Sequence, residues 1–245
     1  TMGGLHKGHI SLIKQSKKSK LKILVSIFVN PKQFNKKADF KSYPRNTKKD
    51  IKLLKKLKVN YLYTPTFMDI YGFQTKNKVF LDKSSKKLCG KFRKGHFEGV
   101  LNVVNRFLEI IKPKYIYLGK KDYQQLYLIK KHIEKKRINS KIIECKTIRE
   151  NNGIACSSRN SNLNKNQMKI ASDIFNYLNI LKREIKKNYS LFKINKIKND
   201  LINLGANKID YIENYNLRSF KKIKKPNKKF NLFFAYYIKN IRLID

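Results

Sequence analysis

Apolar positions along the first 147 residues follow two periods in turn. A short β-branched run at 22–29, bounded by Asn30-Pro31, has the character of a buried parallel strand. Ile51, Leu54 and Leu57 fall on one face and predict an amphipathic helix over 47–58. A strand at 60–64 follows, closed by Pro65. The clearest helix is 98–111, where Val100, Val103, Val104, Phe107, Leu108 and Ile111 recur at three and four residues and Pro113 supplies the stop. A strand at 114–118, a helix at 122–135 and a strand at 141–145 complete this part. Strand–helix–strand alternation implies a parallel sheet with helices on its faces. After Arg159 the order changes to helices at 165–188 and 191–204, then strands at 208–214 and 230–237 separated by the basic stretch 221–229. The expected fold class is therefore α/β. A Rossmann-like domain at 1–147 precedes a small α+β domain at 148–245, with the boundary near 147–150.

Composition narrows the class. The chain has 245 residues, enough to bury a core without disulfides or a structural metal. An apolar fraction of 41%, with 15 Phe and 14 Tyr, excludes a disordered chain. The longest apolar run, 23–29, is too short to span a bilayer, which takes roughly 20 residues. No secretory signal is visible. The chain does not begin with Met, so an upstream segment is expected. Cys89, Cys145 and Cys156 lack metal-ligand spacing and fit reduced thiols in a cytoplasmic protein. The net charge is +42, from 58 Lys and Arg against 16 Asp and Glu. Such a charge suits a nucleic-acid or membrane-surface partner. Lysine is spread along the whole chain with abundant Asn and Ile, however, and Trp is absent, a pattern that AT-biased coding produces without any partner. A basic nucleic-acid-binding module stays open as an alternative.

Five segments carry candidate chemistry. Glycine is scarce, 10 in all, yet Gly3, Gly4 and Gly8 fall in Thr1-Met2-Gly3-Gly4-Leu5-His6-Lys7-Gly8-His9, ahead of a helical pattern at 10–16. Glycines allow close approach of a ligand to the backbone, and a helix N-terminus attracts phosphate. His6 and His9 lie one turn apart and can face the same anion. Asn30 and Gln33 follow the first strand, where open parallel sheets bind ligands, and their amides suit hydroxyl and carboxylate groups. Arg93-Lys94-Gly95-His96-Phe97 is either an anion loop or the first turn of the long helix. Gly119, Lys120, Lys121, Asp122 and Gln125 follow another strand, and Lys121 can neutralise phosphate charge. Cys156-Ser157-Ser158-Arg159-Asn160 offers hydroxyls and a guanidinium for a phosphate clamp. Each segment alone also reads as an ordinary turn or solvated face. No Ser-His-Asp order, zinc spacing or paired-carboxylate arrangement competes with the set.

The segments together closely resemble the pantothenate synthetase (pantoate–β-alanine ligase) family. Residues 1–9, the run Ser26-Ile27-Phe28-Val29-Asn30-Pro31-Lys32-Gln33-Phe34, Tyr43-Pro44-Arg45, residues 93–97, the run from Lys121 to Leu126 and Ser157-Ser158-Arg159-Asn160 occur in that family's order and spacing. The closing Ile241-Arg242-Leu243-Ile244-Asp245 resembles its last strand. The resemblance implies a nucleotidyltransferase-type Rossmann-like domain and a C-terminal domain that covers the site. It also implies a cytoplasmic, Mg2+-dependent homodimer that binds neither nucleic acid nor membrane as part of its role. Pantoate would attack the α-phosphate of ATP, and β-alanine would then displace AMP from pantoyl adenylate. By the same resemblance, Met2, Gly3, Gly4, Leu5, His6, Lys7, Gly8 and His9 line the ATP site. Gly119, Lys120, Lys121, Asp122, Ile148, Cys156, Ser157, Ser158 and Arg159 complete it. His6, His9, Lys121, Ser157, Ser158 and Arg159 act on the phosphates, Gln33 and Gln125 hold pantoate, and Asn30 lies nearby.

The chain departs from the family pattern at several positions. Lys120 stands where Glu is usual. An acidic pair after Tyr43-Pro44-Arg45 reads Lys49-Asp50, which leaves Asp50 as the candidate Mg2+ ligand. Cys89 replaces a carboxylate and Cys156 a larger apolar residue. The family has a strand and helix ahead of the position of Thr1. A truncated or decayed inactive homologue is thus a second alternative.

Overall fold

The structure is a computed structural model, described here for residues 1–72, 78–223 and 230–245. The chain divides into two compact units, Thr1–Ile148 and Arg149–Asp245.

The first unit begins with helix α1 (Lys7–Lys17), strand β1 (Leu24–Ser26) and a 3-10 turn, Pro31–Gln33. Helices α2 (Lys37–Lys41) and α3 (Thr47–Lys56), strand β2 (Tyr61–Tyr63) and helices α4 (Phe67–Tyr71) and α5 (Cys89–Phe92) follow. Then come α6 (His96–Ile111), β3 (Tyr115–Gly119), a 3-10 turn Lys120–Asp122, α7 (Tyr123–Lys136) and β4 (Lys141–Cys145). β1 and β2 are shorter than the apolar runs that predict them. Asn30-Pro31 turns the chain out of line after one, and Pro65 after the other.

The strands pair in parallel, as the alternation requires, but as two separate pairs, β1–β2 and β3–β4, rather than one sheet. Among the described residues no strand pairs with both β1 and β3. The edge of β1 away from β2 instead meets Thr1, whose carbonyl accepts from Phe28 N–H at 3.0 Å and whose amino group donates to Ser26 O at 3.0 Å. Each pair carries its own apolar cluster. Ile13 of α1, Leu54 of α3 and Ile27 pack together. Leu101 and Leu108 of α6 pack with Ile129 and Ile133 of α7, against Ile116, Leu118 and Ile142 of β3 and β4. α6 buries more than the expected stripe because Leu101 faces this cluster while Gly99 faces the Pro31–Gln33 turn.

Three helices end on left-handed basic residues: Lys58 (φ 47°) just beyond α3, Lys112 (φ 47°) after α6 and Arg137 (φ 51°) after α7.

The second unit holds α8 (Lys165–Lys187), α9 (Ile194–Asn203) and an antiparallel sheet in the order β5 (Lys208–Asn216), β6 (Phe230–Ile238), β7 (Ile241–Ile244). α8 opens on a reciprocal cap, in which Asn164 accepts from Gln167 N and Gln167 accepts from Asn164 N, each at 2.9 Å. α9 starts later than its apolar pattern, after a 3-10 turn at Tyr189–Leu191. Ile174, Leu178, Ile185, Ile197, Leu201 and Ile212 form the centre of one continuous core. Of the basic stretch 221–229, residues 224–229 lie outside the described residues.

Candidate active site

The glycine segment is a turn followed by a helix N-terminus. Gly3 (φ 83°) and Gly4 (φ 62°) take left-handed conformations that side chains rarely adopt. His6 is the N-cap of α1, and its Nδ1 accepts from Gly8 N–H at 3.1 Å. His9, three residues on, accepts from His6 N–H through Nδ1 at 3.3 Å. The ring centroids are 4.1 Å apart. The helix start expected to attract phosphate therefore meets the protein's own imidazoles first. Both imidazoles take backbone donors on Nδ1, which leaves the proton of each ring on Nε2. Hydrogen-bond chains of this kind polarise along their length, so the helix's positive end is passed to the outer edge of the rings. Burial first, then electrostatic repulsion from the neighbouring His6 were both rings to charge, push the His9 pKa down to about 3, so His9 is a neutral donor. Its Nε2 pairs with Thr1 Oγ1 at 3.1 Å.

The backbone N–H groups of Gly4 and Leu5 are also committed. They donate to Asp50 Oδ2 and Oδ1, at 2.8 and 2.9 Å. Asp50 sits in the first turn of α3 and is buried. This is the candidate Mg2+ ligand, and the structure commits both of its oxygens to the loop. Its neighbours Lys48 and Lys49 are exposed cations. Among the described residues no three His, Cys, Asp or Glu side chains gather as a metal site. The donor set does not fit a protein-held Mg2+.

Lys121 and Asp122 lie close enough to act on the charge of His9, with opposite signs. Lys121 is largely buried, with Nζ 3.3 Å from Asp122 Oδ1. Lys120 points elsewhere: its Nζ is 3.4 Å from Glu144 Oε2 on β4, and it is about half exposed. The extra positive charge at this position is thus matched on the neighbouring strand. Lys7 is exposed at the start of α1.

The amide pair meets the same loop. Gln33 Nε2 donates to Met2 Sδ at 2.8 Å and its Oε1 accepts from Asn30 Nδ2 at 3.2 Å. Asn30 is fully buried and fully used. It donates also to Gly99 O (3.0 Å) and accepts from Lys32 N (3.2 Å) and Tyr71 OH (2.8 Å). One of these bonds holds Gln33, and the others tie the turn to α6, to Lys32 and to α4. Burial pushes the Tyr71 pKa up to about 12, which keeps the hydroxyl a donor. Behind Gln33, His96 Nδ1 donates to its carbonyl at 2.8 Å while Arg93 reaches His96 Nε2 at 2.9 Å. The Arg93–Phe97 segment therefore acts as the first turn of α6 and a clamp on Gln33. A Cβ on Gly99 would lie 2.3 Å from Lys32 O, so glycine there lets α6 seat the turn.

Tyr71, His96 and Gly99 have no individual signature in the sequence, although the last two lie in or just beyond a flagged segment. The adjacent glutamines of α7 divide their work. Gln124 is buried and ties down Cys89 N, Ser84 O and Lys87 O. Gln125 is half-buried, and its side chain makes no hydrogen bond among the described residues. Gly119 ends β3, and Ile148 is half-buried at the end of its unit.

In the second unit, Ser157 caps a 3-10 turn, Ser158–Asn162, with Oγ accepting from Arg159 N at 3.2 Å. Ser157, Ser158 and Arg159 are all partly exposed. Cys156 is buried, and its thiol donates to Glu150 Oε1 at 3.1 Å.

Imidazoles wired to a helix end, beside a lysine that follows a parallel strand, define an α/β protein that handles a nucleotide phosphate. Comparison with known proteins narrows this. The family model described as pantoate-beta-alanine ligase matches residues 1–245, and the chain belongs to that family. It is 39% identical to a pantothenate synthetase of Flavobacterium psychrophilum, over all of this chain and 88% of that protein. It is 40% identical to one from Francisella tularensis subsp. novicida, over all of this chain and 86% of that protein. A crystal structure of the Francisella tularensis pantoate-beta-alanine ligase, complexed with beta-gamma ATP and beta-alanine, superposes with a TM-score of 0.82 at 39% identity. It covers all of this chain and 85% of that one. The Thermus thermophilus pantothenate synthetase superposes with a TM-score of 0.90 at 28% identity, over all of this chain and 89% of that one.

Proposed function

We propose that this chain condenses pantoate with β-alanine, driven by ATP, in two steps carried out by the residues gathered at the glycine turn. In the first, a carboxylate oxygen of pantoate attacks the α-phosphorus, a P–O bond forms and pyrophosphate leaves. In the second, the amine of β-alanine attacks the acyl carbon, a C–N bond forms, AMP departs and the amine loses a proton. No protein nucleophile is needed, so the protein positions the reactants and stabilises phosphate charge. His6 and His9 carry their ring protons on Nε2, that of His9 exchanging Thr1 Oγ1 for a phosphate oxygen when the nucleotide binds, and Lys121 supplies a cation whose charge is felt at His9. Gln33, fixed by Asn30 from one side and His96 from the other, is oriented for pantoate, and the open amide of Gln125 is its counterpart.

Met2, Gly3, Gly4, Leu5, Lys7, Gly8, Gly119, Asp122 and Ile148 are assigned to ATP by family likeness, as are Cys156, Ser157, Ser158 and Arg159 of the second unit. Mg2+ finds no fitting protein ligand set, and no step is assigned to it. The observation that carries the reading is that one glycine turn holds the imidazoles, meets Gln33 through Met2 and is gripped by Asp50 at Gly4 and Leu5, with the charge of Lys121 felt at His9.

Pantoate-dependent exchange of labelled pyrophosphate into ATP tests it. His9→Ala and Lys121→Ala are each expected to lower exchange by about a hundredfold or more. Absence of pantoate-dependent exchange in the unaltered protein overturns the reading. We further propose a cytoplasmic homodimer. Three buried cysteines that form no disulfide among the described residues agree with a reducing compartment, and light scattering checks the dimer. Among the described residues no helix is long and apolar enough to cross a membrane.

A further inference from the structure

The buried carboxylate of Asp50 grips consecutive N–H groups of the glycine turn, one oxygen to each. A carboxylate so engaged is an acceptor whose shape fixes its donors, and buried N–H groups left without it carry a desolvation cost. The space is also matched. A Cβ on Gly3 would lie 3.1 Å from Asp50 Oδ2, so carboxylate and glycine meet at contact distance. Asp50 is itself anchored, because α3 opens on Asn46, whose side chain accepts from Lys49 N at 3.1 Å and whose carbonyl accepts from Asp50 N at 2.9 Å. The turn leads directly into His6, and through His6 N–H into the ring of His9.

We propose that Asp50 is a positioning residue that sets the Gly3–Gly4–Leu5 turn, and so aims His6 and His9 at the nucleotide, and that it does not ligate a metal. The proposal rests on the ligase reading only for what the aimed imidazoles do. The hold on the turn is a property of the free protein.

The test is amide hydrogen exchange on the ligand-free chain, with Asp50→Asn beside the unaltered protein. Asparagine keeps the size but turns an NH2 towards one of the two N–H donors. Exchange of the Gly4 and Leu5 amides is expected to quicken by about tenfold or more, the equivalent of one net hydrogen bond. Slow, unchanged exchange at both amides in a folded Asp50→Asn protein overturns the proposal. Kinetics give the second reading. The KM for ATP should rise about tenfold in Asp50→Asn while the Mg2+ concentration for half-maximal rate stays put.

The exposed neighbour supplies a variant that keeps the fold. Lys49→Asp restores an acidic pair with Asp50 in sequence, on the exposed side of α3. An unchanged Mg2+ half-saturation in that variant supports the proposal, and a fall of about tenfold or more, as a shared metal would give, overturns it. A protein with no ligase activity at all would defeat the functional reading yet leave the amide-exchange result standing.

Discussion

In Arg149–Asp245 the interior is mainly hydrocarbon: Ala171, Ile174, Leu178, Leu201 and Ala235 are each at most 2% exposed, within a single cluster or beside it, and Gln167, Asp210 and Asn214 are the buried polar side chains among the described residues. In Thr1–Ile148 buried hydrocarbon is interleaved with polar groups, and many buried places belong to Asn30, Asp50, His96, Asn105, Gln124 and His132. Each of these polar groups reaches across sequence to a backbone or side-chain partner. Asp50 holds the glycine turn, His96 the carbonyl of Gln33, Gln124 the loop before α5, and His132 joins Phe80 N to Asn105. Hydrocarbon packing gives stability with broad tolerance of shape. Hydrogen-bonded pins give a loop one position. The unit that carries the glycine turn is the one built with pins.

The contrast can be broken first where the effect is largest. Leu201→Ala removes a fully buried side chain from the second unit and is expected to cost about 2–5 kcal/mol in urea denaturation. Gln124→Ala, which removes the side-chain acceptor of Cys89 N–H and one of the donors to Ser84 O and to Lys87 O, should cost about 1–3 kcal/mol and free the segment 84–89 to protease. Equal costs with no change in proteolysis would erase the distinction between packing and pinning.

The next effect is a pH dependence. His9 has its pKa lowered from 6.5 to about 3 in the folded chain. The unfolded chain therefore binds more protons between these values. Stability from this group is complete above about 6.5 and is lost as pH falls towards 3. His9→Gln should flatten that limb of the stability profile, and an unaltered limb would remove His9 as its source.

The smallest expected change sharpens the site boundary. Lys120→Ala breaks only a half-exposed pair with Glu144, so stability should move by less than about 1 kcal/mol and the KM for ATP should stay where it is. A large rise in that KM would return Lys120 to the phosphates.

Much of this was legible in residue order. α6 and β4 announce themselves, one by sustained three-and-four spacing and one by a β-branched run between polar ends. The short helices Lys37–Lys41, Phe67–Tyr71 and Cys89–Phe92 do not, since about one turn carries no period. The glycine–histidine segment is conspicuous because both residue types are rare in this chain. What the imidazoles do there is not, because the helix end is expected to meet a ligand and meets its own side chains first. Asp50 and the glycine turn lie about 45 positions apart, and no local pattern links them. Gln124 and Gln125 are identical as letters. Only the loop packed over one side of α7 makes one a brace and leaves the other open.

The left-handed residues that close α3, α6 and α7 show how far the lysine excess has spread. Positions of this kind favour glycine or asparagine, and a longer side chain there costs roughly 1 kcal/mol. Lys58, Lys112 and Arg137 are thus small strains held in the backbone. Exchanging them for glycine offers a route to a sturdier enzyme that leaves the glycine turn, the imidazoles and Gln33 untouched.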